Sequence, residues 1–253
     1  MTSDQPAPYL LINNNNSRTK FALSDERELL DHRVIETAKL TPESLIDEVS
    51  DWHFQYLVLA SVVPEKATLI RDTFIDNHPV LEVSHQIDLG ITVDFPDPST
   101  IGADRLANAA AVVEIHETVP AIVVDFGTAV TFDIISAERA YVGGVIAPGL
   151  DVMTDYMHQR TALLPKIDLK EPPAAIGKST VDAMLSGAVH GYRGLVKEIL
   201  VQTEAELGSD QPPVIVATGG YAELIAAGLP EIQTVQPELT LEGLRIIGNL
   251  NFA

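Results

Sequence analysis

A strand-turn-strand pattern occurs twice in this sequence and limits the folds that are open to it. Residues 11–19 (LINNNNSRT) align with residues 123–131 (VVDFGTAVT). In each copy an apolar run ends in a short polar turn, and the chain then returns with an alternating pattern. Such a pattern predicts a β-hairpin. Because the same unit recurs, we predict that the chain is a diverged internal duplication.

The segment between the two hairpins predicts a parallel sheet. Residues 56–63 form a β-branched and aliphatic run that stops at Pro64, which is typical of a strand buried on both faces. Residues 67–74 then carry apolar side chains at three- and four-residue steps, and residues 80–83 indicate another short strand. Strand, helix and strand in this order predict an α/β fold.

A long helix is predicted in the second half of the chain, capped by Thr180 and running to about Leu207, with Gly208 closing it. One face of this helix is made of glycines, namely Gly187, Gly191 and Gly194. Each glycine in a helix interior costs about 1 kcal/mol relative to alanine. We therefore expect another backbone, or a ligand, to come close to that face.

Composition excludes several classes of protein. The chain of 253 residues has 36 Asp and Glu against 16 Lys and Arg, so its net charge is −20 and we expect no nucleic-acid partner. Without cysteine it has no disulfide, thiolate nucleophile or cysteine-ligated metal. No apolar run approaches the roughly 20 residues that span a bilayer, and residues 1–6 do not resemble a secretory signal. We expect a cytoplasmic protein with no membrane partner.

Three turns are candidates for binding phosphate. The two hairpin turns and the Thr-Gly-Gly turn at residues 218–220 place small and polar residues where backbone amides could cradle an anion. Plain turns are the alternative, because Gly and Asn are common turn residues. A complete P-loop is absent, since Gly177-Lys178-Ser179 has its ending but Pro172 replaces its first glycine. The seven histidines show no metal-ligand spacing, and we assign them no role.

Two carboxylates are candidates for chemistry. Asp104 follows Gly102 at a predicted helix start, where it either acts on a substrate or complements the helix dipole. Asp125 ends an apolar strand at residues 121–124. Ligands in α/β sheets usually bind at the carboxyl edge, although a satisfied strand-end carboxylate would look the same.

An ordered set of motifs covers nearly the whole chain. They are residues 61–64 (SVVP), 102–105 (GADR), 125–131 (DFGTAVT), 143–150 (GGVIAPGL), 162–165 (ALLP), 176–180 (IGKST), 217–220 (ATGG) and 239–241 (LTL). As a set they resemble the type III pantothenate kinases, a family of the acetate and sugar kinase/Hsp70/actin superfamily. The resemblance implies two duplicated ribonuclease H-like domains with a cleft between them. The first would span residues 1–115, with the first phosphate loop and the substrate residues. The second would span residues 116–253, with the second phosphate loop and an adenosine motif.

The resemblance also implies an activity, which is transfer of the ATP γ-phosphate to pantothenate, giving 4'-phosphopantothenate in coenzyme A biosynthesis. It implies Mg²⁺, a monovalent cation (K⁺ or NH₄⁺) and a homodimer. Asp104 would be the general base. The substrate-binding residues would be Phe95, Gly102, Ala103, Asp104, Arg105 and Thr180. The ATP-binding residues would be Asn13, Asn14, Asn15, Asn16, Ser17, Arg18, Thr19, Lys20 and Thr128, and Asp125 would be the ligand of the monovalent cation.

The first phosphate loop departs from the family pattern. The family usually has Asp-x-Gly-Asn-Thr where this chain has residues 13–17 (NNNNS). Asn13 thus replaces a carboxylate that is expected to help position Mg²⁺. Two alternatives follow: a catalytically impaired homologue that acts as a ligand-binding or regulatory accessory protein, and a kinase of the same superfamily that acts on another small hydroxyl substrate.

Overall fold

The computed structural model describes residues 7–116 and 119–252. Residues 1–6, on which the expectation of no secretory signal rests, lie outside the described residues. Contacts divide the chain into two compact units, the first made of residues 7–116 and 238–252 and the second of residues 119–237. Among the described helices, none combines the length and the apolar character needed to cross a membrane.

Eleven strands are found in the part of the chain that the structure describes. Those of the first unit are β1 (Ala7–Asn14), β2 (Arg18–Ser24), β3 (Leu29–Glu36), β4 (Phe54–Ser61), β5 (Val80–Glu82) and the short β6 (Thr92–Val93). Those of the second are β7 (Ala121–Phe126), β8 (Ala129–Ile135), β9 (Ala140–Pro148), β10 (Val214–Thr218) and β11 (Thr234–Val235).

The two sheets share one topology. The first unit has the order β3-β2-β1-β4-β5, and the five strands of the second follow β9-β8-β7-β10-β11. In each sheet, the three strands that come first in the sequence of that unit form an antiparallel meander. The other two strands are parallel to the first strand of the meander and to each other. The predicted α/β fold is therefore confirmed, with sheets that are mixed. β1 and β7 also occupy the same place in their sheets, as the aligned hairpins predict.

Seven α-helices connect these strands within the described ranges. They are α1 (Pro42–Glu48), α2 (Pro64–Phe74), α3 (Ala103–His116), α4 (Leu150–Arg160), α5 (Thr180–Leu207), α6 (Ala222–Ala226) and α7 (Leu239–Phe252). Their ends follow from local chemistry. Thr41 and Ser44 form a reciprocal capping box at the start of α1. Gly208 ends α5 in the left-handed region at φ 59°, where glycine has no Cβ penalty.

Helices cover both faces of the first sheet. Leu11 and Val58 pack with residues of α3 and α7, whereas Leu10 and Leu57, which point to the opposite face, pack with α1 and α2. This alternation is the period of two expected of a strand. In the second unit one face of the sheet packs against α5 and α6.

The last helix belongs to the first unit, whereas the predicted domain 116–253 would place it in the second. The backbone of Gly243 in α7 lies directly against the carbonyl of Ala107 in α3, where a Cβ would clash. Leu241 and Leu244 are buried in the same cluster as the face of β1 and β4. The burial of these apolar side chains therefore places α7 in the first unit.

Two details of the sequence interpretation change. Thr180 is not the cap of α5 but its first residue; Ser179 is the N-cap, and its hydroxyl accepts from the backbone N–H of Asp182 at 3.1 Å. Strand β3 was not predicted, because its side chains are mostly exposed and show no clean alternation.

Candidate active site

The turn of the first hairpin, residues 15–17 between β1 and β2, rests on a buried hydrogen-bond network. Asn14 Nδ2 donates to Thr19 Oγ1 at 2.7 Å, and Ser61 Oγ donates to Asn14 Oδ1 at 2.7 Å. Thr19 Oγ1 lies 2.9 Å from Thr37 Oγ1, which donates to the carbonyl of Asn15 at 2.6 Å. The turn is thus held by hydrogen bonds among residues of β1, β2 and β4 and the residue after β3. A fixed geometry of this kind is what a preorganised anion site requires.

Two amide oxygens of this hairpin are left without partners. The Oδ1 atoms of Asn13 and Asn15 are buried and accept no hydrogen bond. Asn13 is only 4% exposed, so water does not satisfy it freely. A buried acceptor without a donor is unfavourable by about 1–3 kcal/mol. The two oxygens therefore suit a ligand that brings donors or positive charge.

Asp104 lies in the first turn of α3, where the sequence predicts it. Its Oδ1 accepts from the backbone N–H of Arg105 at 2.9 Å. Burial raises the pKa of Asp104, and this outweighs the hydrogen bond and the charge of Arg105, which lower it. A Cβ added at Gly102 would lie 2.7 Å from Asp104 Oδ1, so the glycine leaves room for the carboxylate. A partly desolvated carboxylate with a raised pKa is suited to accept a proton.

The other predicted substrate residues occupy different places. Ala103 is buried and Arg105 is half-buried beside Asp104 at the start of α3. Phe95 is half-buried in the segment that follows β6. Thr180 is exposed and lies in the second unit, at the start of α5. Gly102 directly precedes α3, and Ala103, Asp104 and Arg105 form the first turn of that helix.

In the second unit, backbone segments pack closely around the turn of the second hairpin. Gly149, the N-cap of α4, donates from its N–H to the carbonyl of Thr128 at 3.1 Å. Gly219 has φ 92° and packs against Asp125; a Cβ there would lie 2.5 Å from Asp125 Oδ1. Because β7 and β10 are parallel neighbours, their carboxyl ends deliver Asp125 and Gly219 to the same edge. This edge is where ligands bind in α/β sheets.

The amide oxygens of the first hairpin suit a hydrated metal ion better than a metal ion without bound water. Among the residues that the structure describes, no group of three or more His, Asp and Glu could hold a metal. Mg²⁺ in nucleotide sites usually keeps several waters and is bound through few protein ligands and the phosphates. Waters on such an ion would donate to the unpartnered Asn13 Oδ1.

Sequence reasoning missed the supporting residues of the first hairpin. Ser61 stands in a motif but carried no assigned role, and Thr37 lies in the unpredicted connection after β3. Glu238, which pairs with Lys20 at 3.2 Å, was also missed. No local pattern identifies these residues, because each acts on a partner distant in sequence.

Comparison with solved structures shows which proteins share this fold. A Baf family protein from Campylobacter jejuni aligns over 94% of this chain and 96% of its own, with a TM-score of 0.57 and 18% identity. The activator of 2-hydroxyisocaproyl-CoA dehydratase from Clostridium difficile, solved with bound ADPNP, aligns over 96% and 93% with a TM-score of 0.53 and 11% identity. This chain therefore shares the α/β fold of these proteins.

Sequence comparison gives the family. The family model described as type III pantothenate kinase matches residues 9–202 of this chain. A type III pantothenate kinase of Akkermansia muciniphila is 50% identical over 96% of this chain and 99% of its own, and one of Methylacidiphilum infernorum is 41% identical over 95% and 88%. The chain belongs to the type III pantothenate kinase family. The kinase prediction is favoured over the accessory-protein alternative.

Proposed function

We propose that the protein transfers the γ-phosphoryl group of ATP to the primary hydroxyl of pantothenate, giving 4'-phosphopantothenate and ADP on the way to coenzyme A. The observation that carries the proposal concerns Asp104 at the start of α3, within the Gly-Ala-Asp-Arg motif that resembles the family. Burial raises the pKa of its carboxyl group. Family membership supplies the substrate class.

Asp104 accepts the hydroxyl proton as the substrate oxygen forms its bond to the γ-phosphorus. The bond between that phosphorus and the β–γ bridging oxygen breaks, and ADP leaves with the electron pair. Arg105 stabilises negative charge on the substrate or the transferred group. Gly102, Ala103, Phe95 and Thr180 complete the proposed substrate contacts.

ATP is proposed to bind through the first hairpin, with Asn13, Asn14, Asn15, Asn16, Ser17, Arg18, Thr19 and Lys20, and through Thr128 of the second. Asn13 would hold hydrated Mg²⁺, which neutralises phosphate charge when bound. Asp125 would hold the monovalent cation. We propose that the units are duplicated ribonuclease H-like domains, supported by their shared strand order. The predicted cleft stays a prediction.

We further propose a cytoplasmic homodimer. Its support is a set of exposed apolar side chains of the second unit, on α4 and in the connection that follows it. They are Val152, Met153, Tyr156, Leu163 and Ile176, of which Leu163 is 89% exposed. Several large exposed apolar side chains in one segment are a candidate for a contact with another protein chain. Tyr156→Arg is expected to convert the dimer to a monomer in analytical ultracentrifugation, and an unchanged dimer would place the contact elsewhere.

The decisive experiment measures pantothenate-dependent formation of ADP by the purified protein with ATP, Mg²⁺ and K⁺. We expect turnover in the unmodified chain and its loss in Asp104→Asn. No turnover in the unmodified chain, with turnover in Asn13→Asp, would mean that the asparagine loop has lost catalysis. Failure of both, with the fold intact, would overturn the proposed function.

A further inference from the structure

The carboxyl edge of the first sheet carries an ion pair between Lys20, a proposed ATP-binding residue, and Glu238, a carboxylate that has no proposed role. Lys20 Nζ lies 3.2 Å from Glu238 Oε2, and the two side chains are 30% and 34% exposed. Lys20 is the third residue of β2, close to the turn of the first hairpin, whereas Glu238 lies immediately before α7. The backbone carbonyl of Glu238 accepts from the N–H of Glu242 at 3.0 Å, as an N-cap residue does.

This pair lies on the face of the sheet that also bears Asn13. Asn13 and Lys20 are directly opposite in the β1–β2 ladder, so their side chains share one face. It is the face that α3 and α7 cover, because Leu11 and Ala22, two residues along each strand, pack in that cluster. The orientation of α7 agrees, since Gly248 near its end packs against Tyr9 at the start of β1.

The start of α3 reaches the same edge. A Cβ at Gly102 would lie 3.4 Å from the side chain of Val62, which directly follows β4, the parallel neighbour of β1. The first turns of α3 and α7 therefore both lie at the carboxyl edge, where the positive ends of helix dipoles favour phosphate. Glu238 is a carboxylate placed beside this anion site, and its charge alone would repel a nucleotide.

We infer that Glu238 is a positioning residue, which holds the Lys20 ammonium at the phosphate hairpin before the nucleotide arrives. A lysine side chain has much rotamer freedom, and freezing it on binding weakens the affinity gained from its charge. The contact with Glu238 restricts that freedom in the free protein. The benefit acts only through Lys20, so without Lys20 the carboxylate contributes only repulsion. This inference rests on the proposed binding of ATP at the first hairpin.

The test is a double-mutant cycle on the affinity for a non-hydrolysable ATP analogue with Mg²⁺, measured by calorimetry. Glu238→Ala is expected to weaken binding by about 3- to 10-fold, and to raise KM for ATP with a smaller change in kcat. In a Lys20→Met background the same substitution is expected to leave binding unchanged or tighten it. Glu238→Gln, which can still accept from the ammonium, is expected to lie between the unmodified chain and Glu238→Ala.

A matched control is available one turn further along α7. Glu242 pairs with Arg245 at 2.8 Å on the same helix, so Glu242→Gln removes an ion pair of similar kind away from the hairpin. It is expected to leave the affinity for the analogue unchanged. Thermal unfolding of every variant shows whether a change in affinity reflects a damaged fold.

The outcomes separate this inference from the proposed function. Equal weakening by Glu238→Ala in both backgrounds, no weakening in either, or no binding of the analogue by the unmodified chain would overturn the role of Glu238. Absence of pantothenate phosphorylation, together with the expected pattern of binding, would overturn the proposed function and support the positioning role.

Discussion

Thr240 donates a hydrogen bond of 2.8 Å to the Oδ1 atom of Asn108, a residue that is 1% exposed in the middle of α3. The contact joins α7 to α3 at the point where Gly243 lets the two backbones meet. Because Asn108 is buried, its amide oxygen has no access to water if Thr240 is removed. This hydrogen bond therefore adds a polar contact to the apolar packing between two helices of the first unit.

We expect Thr240→Val to lower the free energy of unfolding by about 0.5–1.5 kcal/mol, the net contribution of one intramolecular hydrogen bond. Thr240→Ser keeps the hydroxyl and is expected to be milder. Urea unfolding at constant protein concentration measures both. Equal stability of Thr240→Val and the unmodified protein would contradict the role of this hydrogen bond.

Asp104→Asn is expected to reduce kcat by about 10²- to 10⁴-fold, the usual contribution of a general base. It is also expected to raise thermal stability slightly at neutral pH. The reason is that burial raises the pKa of Asp104, which means that the folded protein disfavours the ionised carboxylate. An asparagine oxygen can still accept from the N–H of Arg105. A variant that is active, or clearly less stable, would count against this assignment.

The same shift predicts the acid side of the pH profile. Asp104 works as a base only when deprotonated, and burial raises its pKa above the ordinary value for aspartate of about 3.9. The value of kcat/KM should therefore fall as the pH drops through this raised pKa and stay level above it. A profile that stays level down to the ordinary value would exclude Asp104 as the base.

Asn13→Asp is expected to make the protein depend more strongly on Mg²⁺. A carboxylate at this buried position is unfavourable without a cation, so thermal stability should fall in the absence of Mg²⁺ and recover when it is added. The control is Asn16→Asp, which adds the same charge at an exposed position of the same turn. Identical responses of the two variants to Mg²⁺ would show that Asn13 does not face the metal.

Gly219→Ala is expected to destabilise the protein by about 1–3 kcal/mol, because an alanine at φ 92° is strained and its Cβ would meet Asp125 and Phe126. Gly220→Ala is the matched control, since a Cβ there meets no atom of the described residues within 4 Å. If Asp125 holds the monovalent cation, Gly219→Ala should also weaken activation by K⁺, measured as the concentration that gives half-maximal rate.

The glycines of α5 give the opposite expectation. A Cβ at Gly187, Gly191 or Gly194 meets no other atom of the described chain within 4 Å. Each change to alanine should therefore raise the free energy of unfolding by about 0.5–1 kcal/mol. Within the described residues no other backbone approaches this face, and the approach of a ligand stays a prediction. Destabilisation, or a change in sedimentation, would show that a second copy approaches it.

The sequence predicted those parts of the molecule whose causes are local. The buried strands β4 and β7, the two hairpins and the glycine that closes α5 follow from apolar runs, turn residues and a helix-terminal residue. Strand β3 was missed because partner β2, and not its own pattern, holds it in the sheet. In the site, Asp104 was predicted at a helix start, and the structure places it there.

The remaining features depend on residues that are distant in sequence. Asn14 meets Ser61, Lys20 meets Glu238, and Asn108 meets Thr240. Each partner is an ordinary polar residue in its own segment, so no local pattern marks it. The grouping of α7 with the first unit has the same origin. It depends on apolar contacts between α7 and elements that precede the second unit in the sequence.

The return of α7 to the first unit has a consequence for synthesis on the ribosome. Leu241, Leu244 and Ile247 fill the face of β1 and β4 that α3 covers only in part. While the second unit is still being translated, that face has no α7 to cover it, and the first unit can complete its core only afterwards. The nascent chain therefore presents an open apolar surface for the whole of that interval, which is the kind of surface that chaperones bind and that promotes aggregation.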